Sequence, residues 1–117
     1  MPALDIANYL IYLSEMIGEP LTNMKLQKLL YYCYAWFLVD KNNEEQLFDE
    51  EIQAWQYGPV IPLVYDVYKI HGADNIQFPL TQGGKQIGDH ATDFSRLSET
   101  IDPEIQNVIQ SRCVQRS

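Results

Sequence analysis

One run of residues constrains the fold of this chain more than any other. Leu29 to Val39 are eleven consecutive apolar or aromatic residues, and they continue a segment of helical apolar spacing that starts at Asn23. The segment is too long for an ordinary buried strand, so it predicts a helix over Asn23–Val39. It is far shorter than the roughly 20 residues of a membrane-spanning helix. Because its second half has no polar face, we expect this helix to be central and surrounded on most sides.

Three further helices are predicted from apolar spacing and from residues that begin or end helices. In chain order they cover Leu4–Ile17, Leu63–His71 and a segment that starts at Asp102-Pro103-Glu104, with an apolar stripe of Ile105, Val108, Ile109 and Cys113. Gly18 follows the first helix as a stop, and Thr22 is a suitable N-cap for the helix that starts at Asn23.

Two segments have β character. Ile52 to Tyr57 alternates apolar and polar residues through Gln56, which predicts a short half-buried strand or extended segment that ends where Gly58-Pro59 breaks the backbone. The glycine-rich stretch further on predicts a loop with a short hairpin from Ile76 to Ile87. The expected fold is therefore mainly α: a compact single domain over residues 1–117, with four to five helices and a short extended or β element.

The charge balance narrows the classes of partner. Sixteen Asp and Glu against eight Lys and Arg give a net charge of −8. Nucleic-acid binding depends on Lys and Arg, and an anionic membrane surface repels such a chain, so neither is expected. Six of the carboxylates lie between Asp40 and Glu51 and predict a solvated acidic loop whose spacing does not match a calcium loop. The net negative charge of the chain favours a basic or apolar protein partner.

Residues that could support catalysis are scarce. The metalloprotease, zinc, phosphate-loop and nucleophile-elbow motifs are missing from the sequence, and the two histidines, His71 and His90, have no nucleophile beside them. Cys33 lies in the apolar run, which suggests a buried free thiol in a reducing compartment. With no signal peptide at the start, we expect a cytoplasmic protein that is not an enzyme and holds no cofactor or metal.

The aromatic residues leave two interpretations open. Five aromatic residues of the second helix cannot all face one way: Tyr31, Tyr32, Tyr34, Trp36 and Phe37. Trp55 and Tyr57 share one face of the expected strand. Core packing is the simpler interpretation, whereas anchoring of a protein interface is the functional one, since Trp and Tyr dominate binding hot spots.

Two long motifs carry a resemblance to a known family. The first covers residues 21–32 (L-T-N-M-K-L-Q-K-L-L-Y-Y) and is followed by Trp36. The second starts with Leu47-Phe48-Asp49, covers residues 52–62 (I-Q-A-W-Q-Y-G-P-V-I-P) and continues to Val64-Tyr65. Over roughly Ile6 to Gly72, the chain resembles the Panacea (SocA-like) antitoxin domain, which is also found in phage-associated and mobile-element proteins.

The resemblance implies a mainly α-helical domain without catalysis or cofactor, which neutralises a cognate toxin by direct contact. One similar branch acts as a proteolysis adaptor that presents its toxin to a bacterial ATP-dependent protease. The motif positions imply these partner-binding residues: Lys28, Tyr31, Tyr32, Trp55, Tyr57, Gly58 and Pro59. A diverged prophage relic also remains open as an interpretation. So does a DNA-binding autoregulator, for which only Lys25 and Lys28 offer a small basic face.

The chain departs from the family pattern near its C-terminus. Members continue after the fourth helix to a Leu-Thr-His motif and a nearby Pro-Trp, and neither is found before Ser117. We therefore expect the last helix to leave an apolar surface that a partner or a second copy of the chain, in a homo-oligomer, would cover.

Overall fold

The described part of the chain is built mainly from helices. In the computed structural model, residues 2–76, 81–82, 85–86 and 101–113 are described. The elements are α1 (Ala3–Met16), α2 (Asn23–Asp40), β1 (Gln53–Trp55), β2 (Gly58–Val60), α3 (Pro62–Tyr68) with a 3₁₀ turn (Lys69–His71), β3 (Thr81–Gln82), β4 (Lys85–Gln86) and α4 (Pro103–Val108), which continues as a π-helical segment (Ile109–Cys113). The prediction of a mainly α fold with four to five helices is confirmed.

The ends of the first two helices follow local signals. Gly18, with a φ of +77°, stands just after α1, as predicted. The hydroxyl of Thr22 accepts a hydrogen bond from the backbone N–H of Lys25 at 3.2 Å, so the predicted N-cap is confirmed. Each cap involves residues within a few positions of one another, and this is why the sequence predicts them well.

The described elements cover helix α2 mainly on one side, so within the described residues its second half is not surrounded on most sides as expected. One face is buried, formed by Asn23, Leu26, Gln27, Leu30, Cys33 and Phe37. Tyr32, exposed at 49%, and Val39 lie on the opposite face, and Tyr31, exposed at 42%, lies at the edge of the buried face. The described elements pack against the buried face, so the aromatic residues of the other face remain in contact with solvent.

The core is formed by α1, α2, α3 and the segment before β1, together with Ile101 and Ile109 on either side of α4. Its largest buried side chains include Tyr9 from α1, Phe37 from α2 and Tyr68 from α3. The segment before β1 contributes Phe48. The hydroxyl of Tyr68 donates a hydrogen bond to Asn8 Oδ1 in the interior. Burial raises the pKa of Tyr68 above its usual value. The phenol therefore remains protonated and keeps its role as a donor.

Helix α4 starts and packs as predicted. Asp102 Oδ1 accepts a hydrogen bond from the backbone N–H of Glu104 at 2.8 Å, with Pro103 in the first turn. Ile109 is buried, and Ile105 and Val108 pack partly buried against the core. The side chain of Cys113, the fourth member of the predicted stripe, lies outside the described set.

Cys33 is buried in α2 as expected, but it is disulfide-bonded, so the prediction of a free thiol is wrong. Apolar neighbours in the sequence predict that a cysteine side chain is buried. A disulfide requires two sulfur atoms to meet in space at a defined geometry, and helical spacing around one cysteine carries no information about this.

The acidic segment between α2 and β1 is only partly a solvated loop. Its first residues, through Gln46, are largely exposed, and Asn42 and Asn43 take the positive φ angles of a turn. Leu47 and Phe48 then enter the core. Glu50 Oε2 accepts a hydrogen bond from the backbone N–H of Ala3 at 2.8 Å. This acid therefore stabilises the start of α1.

Two remaining predictions concern the second half of the chain. Thr81 pairs with Gln86 and Gln82 with Lys85 in an antiparallel ladder, so the hairpin expected between Ile76 and Ile87 is present at its centre. His90 lies outside the described residues.

Among the described helices, none combines the length and apolar composition that crossing a membrane requires.

Candidate partner-binding surface

The strand predicted within Ile52–Tyr57 is present as β1, and it forms a β-hairpin with a second strand that was not predicted. Strands β1 and β2 pair antiparallel, with Gln53 opposite Val60 and Trp55 opposite Gly58. Gly58 and Pro59 lie inside β2, so the prediction of a backbone break there is wrong. The chain reverses at Gln56-Tyr57, and Gly58 directly after the turn has a φ of +121°, a conformation that residues with a Cβ rarely adopt.

The hairpin exposes its aromatic residues, so the prediction of a half-buried strand is also wrong. All three residues of β1 are exposed, including Trp55 at 39%. Tyr57, in the turn, is exposed at 69%. Within the described part of the chain it makes no hydrogen bond and no ring contact. The core-packing interpretation therefore fails for Trp55 and Tyr57, and equally for Tyr31 and Tyr32 on α2.

Trp55 is exposed but held in place. Its indole Nε1 donates a hydrogen bond to Gln53 Oε1 at 2.8 Å. Its ring meets that of Tyr65 edge to face, with centroids 5.1 Å apart. Both contacts restrict the side-chain rotamer, so the indole presents a defined surface to solvent.

Lys28 of α2 lies next to the hairpin. A methyl group built on Gly58 would lie 3.8 Å from Lys28 Cε, so the lysine stem lies beside this glycine. Such a stem covers neighbouring backbone while its ammonium group remains in water. The structure thus brings together Lys28 and Gly58, which are 30 positions apart in the sequence.

The two tyrosines of α2 lie on different sides of its exposed face. Tyr31 is one turn after Gln27, whose side chain contacts the segment that follows β2. Tyr32 is one turn after Lys28 and packs against Trp36, with ring centroids 6.1 Å apart. We call Lys28, Tyr31, Trp55, Tyr57, Gly58 and Pro59 the motif surface. Tyr32 lies at its flank.

The groups on this surface are suited to contact with another molecule. It offers aromatic rings, one ammonium group and the backbone of a short hairpin. In residues 2–76 and 101–113, no group of three or more His, Cys, Asp or Glu side chains is arranged to hold a metal ion.

Comparison with known proteins identifies the family. The family model "Antitoxin SocA-like, Panacea domain" matches residues 26–111, well over half of the chain. The chain belongs to this family. The match reaches beyond the expected limit at Gly72, so the C-terminal helix is part of the SocA-like domain.

A curated relative agrees with this assignment. Antitoxin SocA from Caulobacter vibrioides (strain NA1000 / CB15N) is 39% identical over 67 residues. The aligned region covers 57% of this chain and 35% of the relative, so the chain spans about a third of the relative's length. No solved structure matches the chain significantly.

Sequence reasoning missed the two residues that join the family motifs. Gln27 Oε1 accepts a hydrogen bond from the backbone N–H of Ile61 at 2.9 Å. Gln27 Nε2 donates to Asn23 Oδ1 at 3.0 Å, and Asn23 Nδ2 donates to the carbonyl oxygen of Tyr65 at 3.0 Å. Both side chains are buried. The available signal was two amides four positions apart on the apolar face of a helix, since buried amides need partners.

Proposed function

We propose that this SocA-like domain is an antitoxin that neutralises a cognate toxin protein by direct contact through the motif surface. Family membership supports the antitoxin role. The name of the Caulobacter relative supports it over the shared region. The proposal assigns partner binding to Lys28, Tyr31, Tyr32, Trp55, Tyr57, Gly58 and Pro59, with no catalytic step and no cofactor.

The observation that carries the proposal is the division of the aromatic residues. Phe37 and Tyr34 of α2 pack inward, Tyr34 against Phe48 at 5.1 Å between centroids. The aromatic residues of the motif surface remain exposed and are not part of the buried core cluster. Exposed aromatic rings are typical of interaction sites, because burying them against a partner removes apolar surface from water.

The charge of the chain supports a basic protein as the toxin. The net charge is −8, and complementary charge on the partner would accelerate encounter more than it would strengthen the final complex. The same charge disfavours DNA, whose phosphates require a basic surface.

Co-expression tests the proposal directly. The protein is produced together with each product of the genes that neighbour it, and growth and complex formation are measured. We expect one neighbour to arrest growth alone and to form a complex with this protein that restores growth. Trp55→Ala and Tyr57→Ala should each weaken the complex by about thirtyfold or more, as for hot-spot aromatic residues.

Met16→Ala is the matched control, because Met16 is an exposed apolar residue on α1, away from the motif surface in sequence and element. It should leave rescue intact. Absence of any complex and of any rescue would contradict the proposal. The lifetime of the toxin in the same cells separates two modes of action. An unchanged lifetime supports neutralisation by binding, whereas a protease-dependent shortening supports the proteolysis adaptor.

A further inference from the structure

One face of the hairpin region places an exposed indole beside a carboxylate. Glu51, Gln53 and Trp55 are two positions apart in extended chain, and their side chains are linked in a row. Gln53 Nε2 donates to Glu51 Oε1 at 2.9 Å, and Gln53 Oε1 accepts from Trp55 Nε1 at 2.8 Å. A single carboxamide therefore separates the carboxylate of Glu51 from the edge of the indole ring.

This pair is arranged before any partner arrives. The indole is held by Gln53 on its N–H edge and by Tyr65 in an edge-to-face contact. Glu51 is held by the other end of the same amide. Groups that are already ordered lose little conformational entropy when they bind, which favours their use as an anchor.

Within the described residues, neither the Glu51 carboxylate nor the Trp55 ring has a cationic partner. Glu51 forms no ion pair there, and the ion pairs present involve Lys41 and Lys69 with other acids. In the same part of the chain, the cation that lies over an aromatic ring is Lys41, over Phe37. Lys28 lies beside Gly58, the residue opposite Trp55, yet it pairs with neither Glu51 nor Trp55.

We propose that Trp55 and Glu51 form a subsite for an arginine side chain of the toxin, a proposal that rests on the proposed function. The guanidinium group stacks on the exposed indole and donates hydrogen bonds to the Glu51 carboxylate. Arginine fits better than lysine, because its planar, weakly hydrated cation stacks on a ring and presents several donors at once. The net charge of −8 favours such a cationic ligand. We call this pair the arginine subsite.

A small-molecule titration tests the subsite without the toxin. The full chain, labelled with ¹⁵N, is titrated with N-acetyl-arginine amide, N-acetyl-lysine amide and N-acetyl-citrulline amide while the indole N–H signals are followed. Loss of one signal in Trp55→Phe identifies that of Trp55. We expect a saturable shift with the arginine amide in the millimolar range, a smaller one with the lysine amide and none with uncharged citrulline.

The same titration is repeated with two variants, each of which lacks one carboxylate. Glu51→Gln should abolish the saturable shift, while Glu15→Gln, which removes one exposed carboxylate from α1 instead, should retain it. A shift that is equal for arginine and citrulline, or that persists in Glu51→Gln, overturns the proposal. So does the absence of a saturable shift with the arginine amide.

The second test measures the affinity of the complex with the toxin. Each arginine of the toxin is replaced by glutamine in turn, and each of these toxin variants is measured with the wild-type protein and with Glu51→Gln. We expect one toxin arginine whose replacement and Glu51→Gln each weaken the complex by about tenfold, and together by little more than either alone. If the toxin binds but no arginine is coupled to Glu51, or if a toxin carboxylate coupled to Lys28 takes its place, the subsite is overturned while the proposed function stands. If no neighbouring product binds but the arginine amide saturates the Trp55 signal, the proposed function fails and the subsite serves another protein.

Discussion

The side chain of Gln27 and the backbone N–H of Ile61 form a buried hydrogen bond of 2.9 Å across 34 positions of sequence. Gln27 belongs to the first family motif and Ile61 to the second. Together with Asn23, which binds the carbonyl of Tyr65, it attaches the segment after the hairpin to α2. The position of the motif surface therefore depends on two buried amides that do not belong to it.

Replacing Gln27 should destabilise the protein. Gln27→Leu leaves the N–H of Ile61 and the amide of Asn23 without this partner in the interior, which costs about 1–3 kcal/mol of unfolding free energy. Urea denaturation measures the loss. Gln46→Leu is the matched control, because Gln46 is exposed, and it should change stability by no more than about 0.5 kcal/mol. Equal effects of the two variants would show that the Gln27 bond contributes nothing to stability.

Gly58 should not tolerate a side chain, for a reason of backbone conformation alone. A methyl group there meets only Lys28 Cε at 3.8 Å, which is ordinary contact, but the φ of +121° is strained for any residue with a Cβ. We expect Gly58→Ala and Gly58→Asn each to cost about 1–3 kcal/mol. Gly18→Asn, at the end of α1, should cost less, since asparagine tolerates its φ of +77°. A Gly58→Asn variant as stable as wild type would refute the backbone argument.

Stability should fall at high pH through Tyr68. In the unfolded chain a tyrosine loses its proton near pH 10, whereas burial raises the pKa of Tyr68 in the folded protein. The folded state thus binds more protons above about pH 10, and the stability contributed by the protonated phenol is lost as the pH rises. Urea unfolding between about pH 8 and 11 should show a smaller decline in Tyr68→Phe. The exposed Tyr57→Phe should decline as wild type does.

The acidic segment should influence how fast the toxin binds. Glu44 and Glu45 are exposed, whereas Glu50 is engaged with α1 and Glu51 with Gln53. Neutralising Glu44 and Glu45 together should slow association with a basic toxin and flatten its salt dependence, with little change in dissociation. Surface plasmon resonance over a range of salt concentrations measures both rates. A Glu15→Gln, Asp74→Asn pair removes equal charge elsewhere, and an equal slowing there would show that only net charge matters.

The helices and the family could both be predicted from short stretches of sequence. Thr22 and Asp102 form the caps that their positions predict, and Gly18 follows α1 as expected. These features depend on hydrogen bonds and backbone angles within a few residues, so they can be derived from short stretches of chain. The family motifs are likewise contiguous runs, and their order along the chain sufficed to identify the resemblance.

The exposure of the aromatic residues and the contact between the two motifs depend on how the elements pack in three dimensions. The apolar second half of α2 predicts a helix surrounded on most sides, yet Tyr31 and Tyr32 are exposed because the other described elements pack elsewhere on the helix. The hairpin at Gly58, the disulfide at Cys33 and the bond from Gln27 to Ile61 were not predicted. Each depends on a backbone angle or on groups that meet through space, and residue periodicity encodes neither.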